Sequence, residues 1–103
     1  MDTRNSIHPE HAKRMTTDEL RREFLITEIM VPGKTTATYS HIDRVIVGGV
    51  VPTDKALSLP AGEVVASEFF LEKREIGIFN IGGAGVIEVA GKKYDMEFRD
   101  CLY

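Results

Sequence analysis

The sequence predicts a mainly β domain, an antiparallel barrel or jelly roll that follows a short helical arm. Short runs of apolar and β-branched residues recur through residues 25–103, and turn residues separate them about every 8–12 positions. These runs do not alternate with helical segments, which disfavours a parallel α/β sheet. At 103 residues the chain has room for one such domain.

The arm is predicted to span residues 1–24 and to be helical. Pro9 stands where a helix can begin, because the N–H that proline lacks would have no intrahelical partner there. Thr16 and Glu19 have the spacing of a capping box, which indicates a second helix start. Leu20, Phe24 and Leu25 then form one narrow apolar stripe, so we expect the arm to pack against something else.

The β region is predicted to begin at residue 25. Gly48-Gly49 interrupts one apolar run and indicates a bulge or a close backbone approach within a strand. A hairpin is predicted at Val86–Tyr94, around Ala90-Gly91. The predicted strands are Leu25–Val31, Thr35–Ser40, Arg44–Val51, Glu68–Glu72, Ile76–Ile81, Gly85–Ala90 and Lys92–Phe98, with turns at Pro32-Gly33, Pro52–Asp54, Leu59–Gly62 and Gly82-Gly83.

The last residues, Asp100–Tyr103, resemble the opening of another strand. A domain seldom stops at such a point, so we expect the barrel to be incomplete at its carboxyl end. Either the chain continues in the intact protein or a partner supplies the missing strands.

Composition argues against several classes of protein. A net charge of −3 disfavours a nucleic-acid-binding module, which normally has a basic face. No apolar run approaches the ~20 residues of a membrane span, and the polar start has no secretory signal, so we expect a cytoplasmic protein. The single cysteine, Cys101, cannot form a disulfide framework, and we expect it to be a buried or half-buried structural thiol.

Two groups of polar residues are candidates for chemistry. His8 and His11 have helical i, i+3 spacing, but no third ligand is apparent, so a solvated or capping pair is favoured over a metal site. His41 and Arg44 lie in the most polar cluster of the β region, together with Tyr39 and Asp43. Arg44 could bind a carboxylate through two parallel hydrogen bonds, and His41 could act as an acid or base. An internal ion pair of Asp43 with Arg44 or a neighbour, at the end of a strand, is favoured over these roles.

Glu75 and Gly82 have the E-x6-G spacing that closes the first cupin motif, and Gly85–Gly91 continues the pattern of strands and glycines. In that motif two histidines precede the glutamate. Counting back from Glu75, their positions fall on Phe69 and Leu71, so the chain resembles a cupin-type half-barrel without the metal-binding histidines. Gly82–Gly85 also resembles a phosphate-binding loop, but it lacks the lysine and hydroxyl residue of that motif, so a barrel turn is favoured.

A wider resemblance covers the whole chain. Its elements are Asp2–His8, Tyr39–Arg44 with Val47–Gly49, and Phe70–Glu75 through Asn80–Gly85. Together these segments resemble the 5-keto-4-deoxyuronate isomerase family, zinc-dependent two-barrel cupins of bacterial pectin breakdown.

The resemblance implies that residues 25–103 are a metal-free cupin-like barrel, truncated from a longer two-barrel chain that forms homohexamers. It also implies that zinc is bound by histidines and a glutamate of the carboxyl-terminal barrel, outside this chain. The intact protein would convert 5-dehydro-4-deoxy-D-glucuronate to 3-deoxy-D-glycero-2,5-hexodiulosonate. This part would then be structural or oligomerising, without catalytic residues, and His41 and Arg44 would be its candidates for contact with the uronate.

Two other interpretations remain open. The chain could be a stand-alone, metal-free cupin-like module that binds a sugar acid or assembles with a partner. Less favoured is an independent enzyme that uses His41.

Overall fold

The computed structural model describes residues 1–59 and 66–103 of the chain. These residues form two compact units, Met1–Phe70 and Leu71–Tyr103. Each unit has its own β structure, so the mainly β prediction is confirmed. The predicted division at residue 24 stays a prediction.

A three-stranded sheet is the centre of the first unit. Its strands are β1 (Asp2–Arg4), β2 (Thr35–Ser40) and β3 (Val45–Val50), in the order β1-β2-β3. β2 and β3 form an antiparallel pair close to the predicted boundaries. β1 was not predicted, and it pairs with β2 in parallel, so this sheet is not purely antiparallel. Three residues are too few to show a period in a sequence, and pairing with β2 is what makes them a strand.

Two helices follow β1. α1 (Pro9–Ala12) begins at the predicted proline, and α2 (Thr17–Phe24) begins after Thr16. The predicted capping box is confirmed: the Glu19 amide donates to Thr16 Oγ1 at 3.3 Å, and the Thr16 amide donates to Glu19 Oε2 at 2.7 Å. The two side chains thus satisfy two backbone donors that the first turn leaves unpaired.

Thr16→Ala is expected to fray the start of α2. The substitution removes the hydroxyl that accepts from the Glu19 amide, and the loss of such a cap costs about 1 kcal/mol. Amide hydrogen exchange of residues 17–20 measures the effect. Thr17→Ala is the matched control, because the hydroxyl of Thr17 is not the capping group; equal exchange in the two variants would contradict the prediction.

The same capping box makes the helix start sensitive to pH. Its Thr16 amide stabilises the Glu19 carboxylate and lowers the pKa of that group from its usual 4.5. A carboxyl group whose pKa is lowered in the folded state stabilises the fold above its unfolded pKa. That contribution is lost as the pH falls through the lowered value, so the start of α2 is expected to become less stable in acid.

Residues 25–31 do not form the predicted strand. The segment instead crosses the sheet, where the Ile29 carbonyl accepts from Thr36 Oγ1 at 2.5 Å. A Cβ atom on Gly49 would lie 2.3 Å from that carbonyl oxygen. The close backbone approach predicted at Gly48-Gly49 is therefore confirmed, while β3 keeps its regular register with β2 and has no bulge there.

The second unit contains two small antiparallel sheets. β4 (Ile78–Phe79) pairs with β7 (Cys101–Leu102), and β5 (Gly85–Val89) pairs with β6 (Lys92–Met96). β5 and β6 are the predicted hairpin, whose turn residues Ala90 and Gly91 have φ values of 49° and 79°. Positive φ at both central residues is the geometry that two-residue hairpin loops require.

Other parts of the predicted β pattern are wrong. Glu68–Glu72 forms bends and turns, and the strand predicted at Ile76–Ile81 is reduced to Ile78–Phe79. An apolar run becomes a strand where a neighbouring strand pairs with its backbone, and within these two runs the described ladders include Ile78 and Phe79 alone. The turn predicted at Leu59–Gly62 lies almost wholly outside the described residues.

The seven described strands form separate sheets of three, two and two strands, without a closed barrel among residues 1–59 and 66–103. The prediction of a mainly β fold is thus confirmed at the level of its class, and the cupin-type barrel stays a prediction. The described residues contain no helix that is both long and apolar enough to cross a membrane.

Candidate functional site

His41 and Arg44 both lie in the four-residue turn that joins β2 to β3. Both are exposed at the surface of the first unit. The turn is tied to the sheet at two points: the His41 amide donates to the Arg4 carbonyl at 2.9 Å, and the Ile42 amide donates to Ser40 Oγ at 3.1 Å. The predicted pair is thus held on one well-anchored turn.

The ring of His41 packs against the buried Tyr39. Their ring centroids are 5.0 Å apart with an interplanar angle of 65°, an edge-to-face arrangement that aromatic pairs prefer. Tyr39 is one of the few buried side chains of the described residues. This contact restricts the imidazole while His41 as a residue stays exposed, which suits a group that could contact a small molecule.

Asp43 and Arg44 have left-handed backbones, with φ values of 54° and 55°. Aspartate adopts this conformation more readily than most residues, whereas arginine does so at a cost. This conformation lets the short connection between β2 and β3 close, so the fold alone explains the left-handed backbone. The geometry does not test contact of Arg44 with a uronate, and that role stays a prediction.

His8 and His11 act locally rather than as a ligand pair. His8 Nδ1 accepts a hydrogen bond from the Glu10 amide at 3.2 Å and caps α1, while the two imidazole centroids are 5.9 Å apart. The capping interpretation is therefore confirmed for His8. Residues 1–59 and 66–103 bring together no three histidine, cysteine, aspartate or glutamate side chains that could hold a metal ion.

The residues at the positions of the first cupin motif do not form a metal-ligand arrangement among the described residues. Phe69 and Leu71, which stand where cupins have two histidines, lie in bends and turns rather than on one strand. The neighbouring Glu75 carboxylate raises the pKa of the Tyr103 phenol. The glutamate that would be a ligand in a metal-binding cupin thus lies near a tyrosine.

The glycine-rich turn at Gly82–Gly85 is built around Asn80. The Gly82 amide donates to Asn80 Oδ1 at 3.0 Å, and Asn80 Nδ2 donates to the Gly83 carbonyl at 2.9 Å. Strand β5 follows it directly, without a helix. This confirms a turn and disfavours a phosphate-binding loop, which needs a helix start behind it.

Cys101 is exposed, so the prediction of a buried or half-buried thiol is wrong. Its strand, β7, is two residues long and, among residues 1–59 and 66–103, pairs only with β4, so the sheet there is too small to cover the side chain.

The sequence reasoning missed a cavity of about 400 Å³ in the first unit. Arg4, Asp2 and Glu28 line it together with threonines of β2. No sequence pattern pointed to it, because β1 has only three residues and these are too few to show a period.

The whole chain is similar to known ketol-isomerases. It is 48% identical over 103 residues to the 4-deoxy-L-threo-5-hexosulose-uronate ketol-isomerase of Bacillus pumilus (strain SAFR-032). The identity is 50% over 105 residues to the protein of that name from Escherichia coli (strain SE11), and 45% over 103 residues to that of Halalkalibacterium halodurans. No family model matches the chain.

All of the chain takes part in these matches, but it spans only 37–38% of the length of the relatives. Similarity at this level over every residue shows common descent with the matched part of the isomerases. The resemblance inferred from the sequence motifs is therefore confirmed.

Proposed function

We propose that this chain is the amino-terminal part of a 4-deoxy-L-threo-5-hexosulose-uronate ketol-isomerase. The intact protein would convert 5-dehydro-4-deoxy-D-glucuronate to 3-deoxy-D-glycero-2,5-hexodiulosonate during pectin degradation in the cytoplasm. The observation that carries the proposal is 48–50% identity over the full chain to proteins of that name. The activity is proposed for the whole protein, since the chain corresponds to little more than a third of it.

Zinc would be bound outside this chain. The described residues do not fit a zinc site, which needs three or more protein ligands around one position. His8 Nδ1 is occupied as the acceptor that caps α1. We therefore assign no catalytic residue and no metal ligand to this part of the protein.

Its own role would be to build the fold and the contacts of a homo-oligomer, as one half of a cupin-type two-barrel chain. The exposed apolar side chains support this role, because burying them elsewhere in the protein would contribute free energy. In the second unit Met96 is the only buried hydrophobic residue among those described, whereas Phe79 is 70% exposed and Tyr103 is 83% exposed. In the first unit α2 presents Leu20 and Phe24 at the surface.

His41 and Arg44 remain the candidates for contact with the uronate. A guanidinium group binds a carboxylate through two parallel hydrogen bonds, and Arg44 is placed on an exposed turn. In an oligomer this turn could reach a neighbouring active site.

Turnover of 5-dehydro-4-deoxy-D-glucuronate tests the proposal. The full-length protein loaded with zinc is expected to isomerise it, and residues 1–103 expressed alone are expected to show no turnover. Metal analysis of that fragment should show less than stoichiometric zinc. An inactive full-length protein would overturn the proposed reaction, whereas an active fragment would overturn the assignment of catalysis to the rest of the chain.

A further inference from the structure

The cavity of the first unit lies between residues 26–28 of the crossing segment (residues 25–31) and the starting ends of β1 and β2. Its position follows from two contacts already described. Gly49 lets the backbone of Ile29 approach the sheet, and Thr36 Oγ1 holds the Ile29 carbonyl there. Beside this anchor the segment leaves a gap of about 400 Å³, which is within the ~300–1,000 Å³ of ligand-binding pockets.

Polar side chains are concentrated on the wall that the sheet provides. In the parallel register Asp2 lies opposite Thr38 and Arg4 lies opposite Ser40. Paired residues of neighbouring strands point to the same face, and so do alternate residues of one strand. Asp2, Arg4, Thr36 and Thr38 therefore share one face and line the cavity, and Thr35 and Ala37 of the opposite face border it as well. Thr38 is only 6% exposed, so its position on that wall is well defined.

Arg4 has unused hydrogen-bonding capacity at this wall. Its Nη1 donates to Asp2 Oδ2 at 2.5 Å and lies 3.5 Å from the Thr3 carbonyl oxygen. Its Nε is buried and has no hydrogen-bond partner within residues 1–59 and 66–103. A buried N–H without a partner costs free energy, about 1–3 kcal/mol in general. A ligand carboxylate would instead accept from Nη2, the terminal nitrogen of Arg4 that forms no hydrogen bond within residues 1–59 and 66–103.

We propose that this cavity binds a small hydroxylated carboxylate of the sugar-acid class. Arg4 receives the carboxylate, and Thr38 and Glu28 form hydrogen bonds with hydroxyl groups. The choice of a sugar acid rests on the proposed function; the preference for a carboxylate rests on Arg4. The site is separate from His41 and Arg44, which do not line the cavity.

The negative charges of the cavity do not exclude such a ligand. Asp2 is already paired with Arg4, and its charge is largely compensated. Glu28 is exposed, so solvent screens its repulsion of an anion. Its carboxylate oxygens accept hydrogen bonds from sugar hydroxyls, a contact that a ligand without hydroxyl groups cannot make.

Calorimetric titration of the full-length, zinc-depleted protein with D-glucuronate tests the proposal. Zinc depletion removes any binding that depends on the metal. D-glucose lacks the carboxylate and acetate lacks the hydroxyl groups, so each is expected to bind at least tenfold more weakly than D-glucuronate. Arg4→Gln is expected to weaken D-glucuronate binding at least tenfold, and Thr38→Val several-fold.

Arg14→Gln is the matched control, because Arg14 is an exposed arginine that does not line the cavity. Equal affinity of Arg4→Gln and Arg14→Gln, or absence of D-glucuronate binding to the unsubstituted protein, would overturn the proposal. If Arg4→Gln fails to fold, Thr38→Val decides, since it keeps the side-chain volume and removes only the hydroxyl. The titration involves no turnover, so an inactive protein that binds D-glucuronate through Arg4 would refute the proposed reaction and leave the cavity proposal intact.

Discussion

Gly49→Ala is expected to destabilise the first unit by about 2–4 kcal/mol. A Cβ at this position would lie 2.3 Å from the carbonyl oxygen of Ile29 and 2.9 Å from its Cγ2. Both distances are below van der Waals contact, and the oxygen belongs to the backbone, so the crossing segment has to move away. The movement would also break the hydrogen bond from Thr36 Oγ1 to that oxygen. Thermal and denaturant unfolding of the protein measure the loss.

Gly85→Ala is the matched control for Gly49→Ala. Gly85 also lies in a strand, but a Cβ there would meet nothing within 4 Å. Its replacement should be neutral or slightly stabilising, because alanine has less conformational freedom to lose on folding. If the two variants unfold alike, steric contact with Ile29 is not the reason for glycine at position 49.

Gly49→Ala should also affect the cavity. The crossing segment forms one of its walls, so displacement of Ile29 would change the gap between residues 26–28 and β2. Binding of D-glucuronate should therefore weaken in Gly49→Ala even at temperatures where the protein remains folded. Gly85→Ala should bind as the unsubstituted protein does.

Asn80→Ala is expected to destabilise the second unit by about 1–3 kcal/mol, since it removes three hydrogen bonds, of which the part-buried one to the Met96 carbonyl is the hardest for water to replace. The carboxamide donates to the carbonyls of Gly83 and Met96 and accepts from the Gly82 amide, at 2.9–3.0 Å. Its backbone pairs with Asp100 and Arg99 at 2.9 and 2.7 Å. One residue thus joins the glycine turn, the end of β6 and the start of β7.

Asn80→Asp separates the roles of the two carboxamide atoms. It keeps an acceptor for the Gly82 amide but loses the donor that the carbonyls of Gly83 and Met96 require. We expect a loss of stability close to that of Asn80→Ala. Asn5→Ala is the control, because Asn5 is exposed and forms none of these bonds; an effect of Asn80→Ala no larger than that of Asn5→Ala would contradict the assigned role.

Features that depend on neighbouring residues could be predicted from the sequence. The Thr16–Glu19 capping box, the start of α1 at Pro9 and the hairpin around Ala90-Gly91 each involve residues within a few positions of one another. Their hydrogen bonds form within one turn of chain, so residue type and spacing are enough. The motifs that indicated the isomerase family were likewise read along the chain, and comparison confirmed them.

Features that depend on distant pairing could not be predicted. Leu25–Val31 and Glu68–Glu72 have the composition of strands, but whether a strand forms depends on an available neighbour. β1 shows the converse, since three residues without a recognisable pattern become a strand by pairing with β2. The cavity was missed for the same reason: Arg4 and Glu28 are far apart in sequence and meet at one cavity only because of that pairing and the crossing segment.

For this protein, then, the sequence by itself determined the mainly β class, the local caps and turns, and the relationship to the ketol-isomerases. The tertiary structure decided which apolar runs became strands, why glycine stands at position 49, and where Arg4 lies. The physical reason is the range of the interactions: caps and turns are closed by near neighbours, whereas sheets and cavities require contacts whose partners only the folded chain brings together.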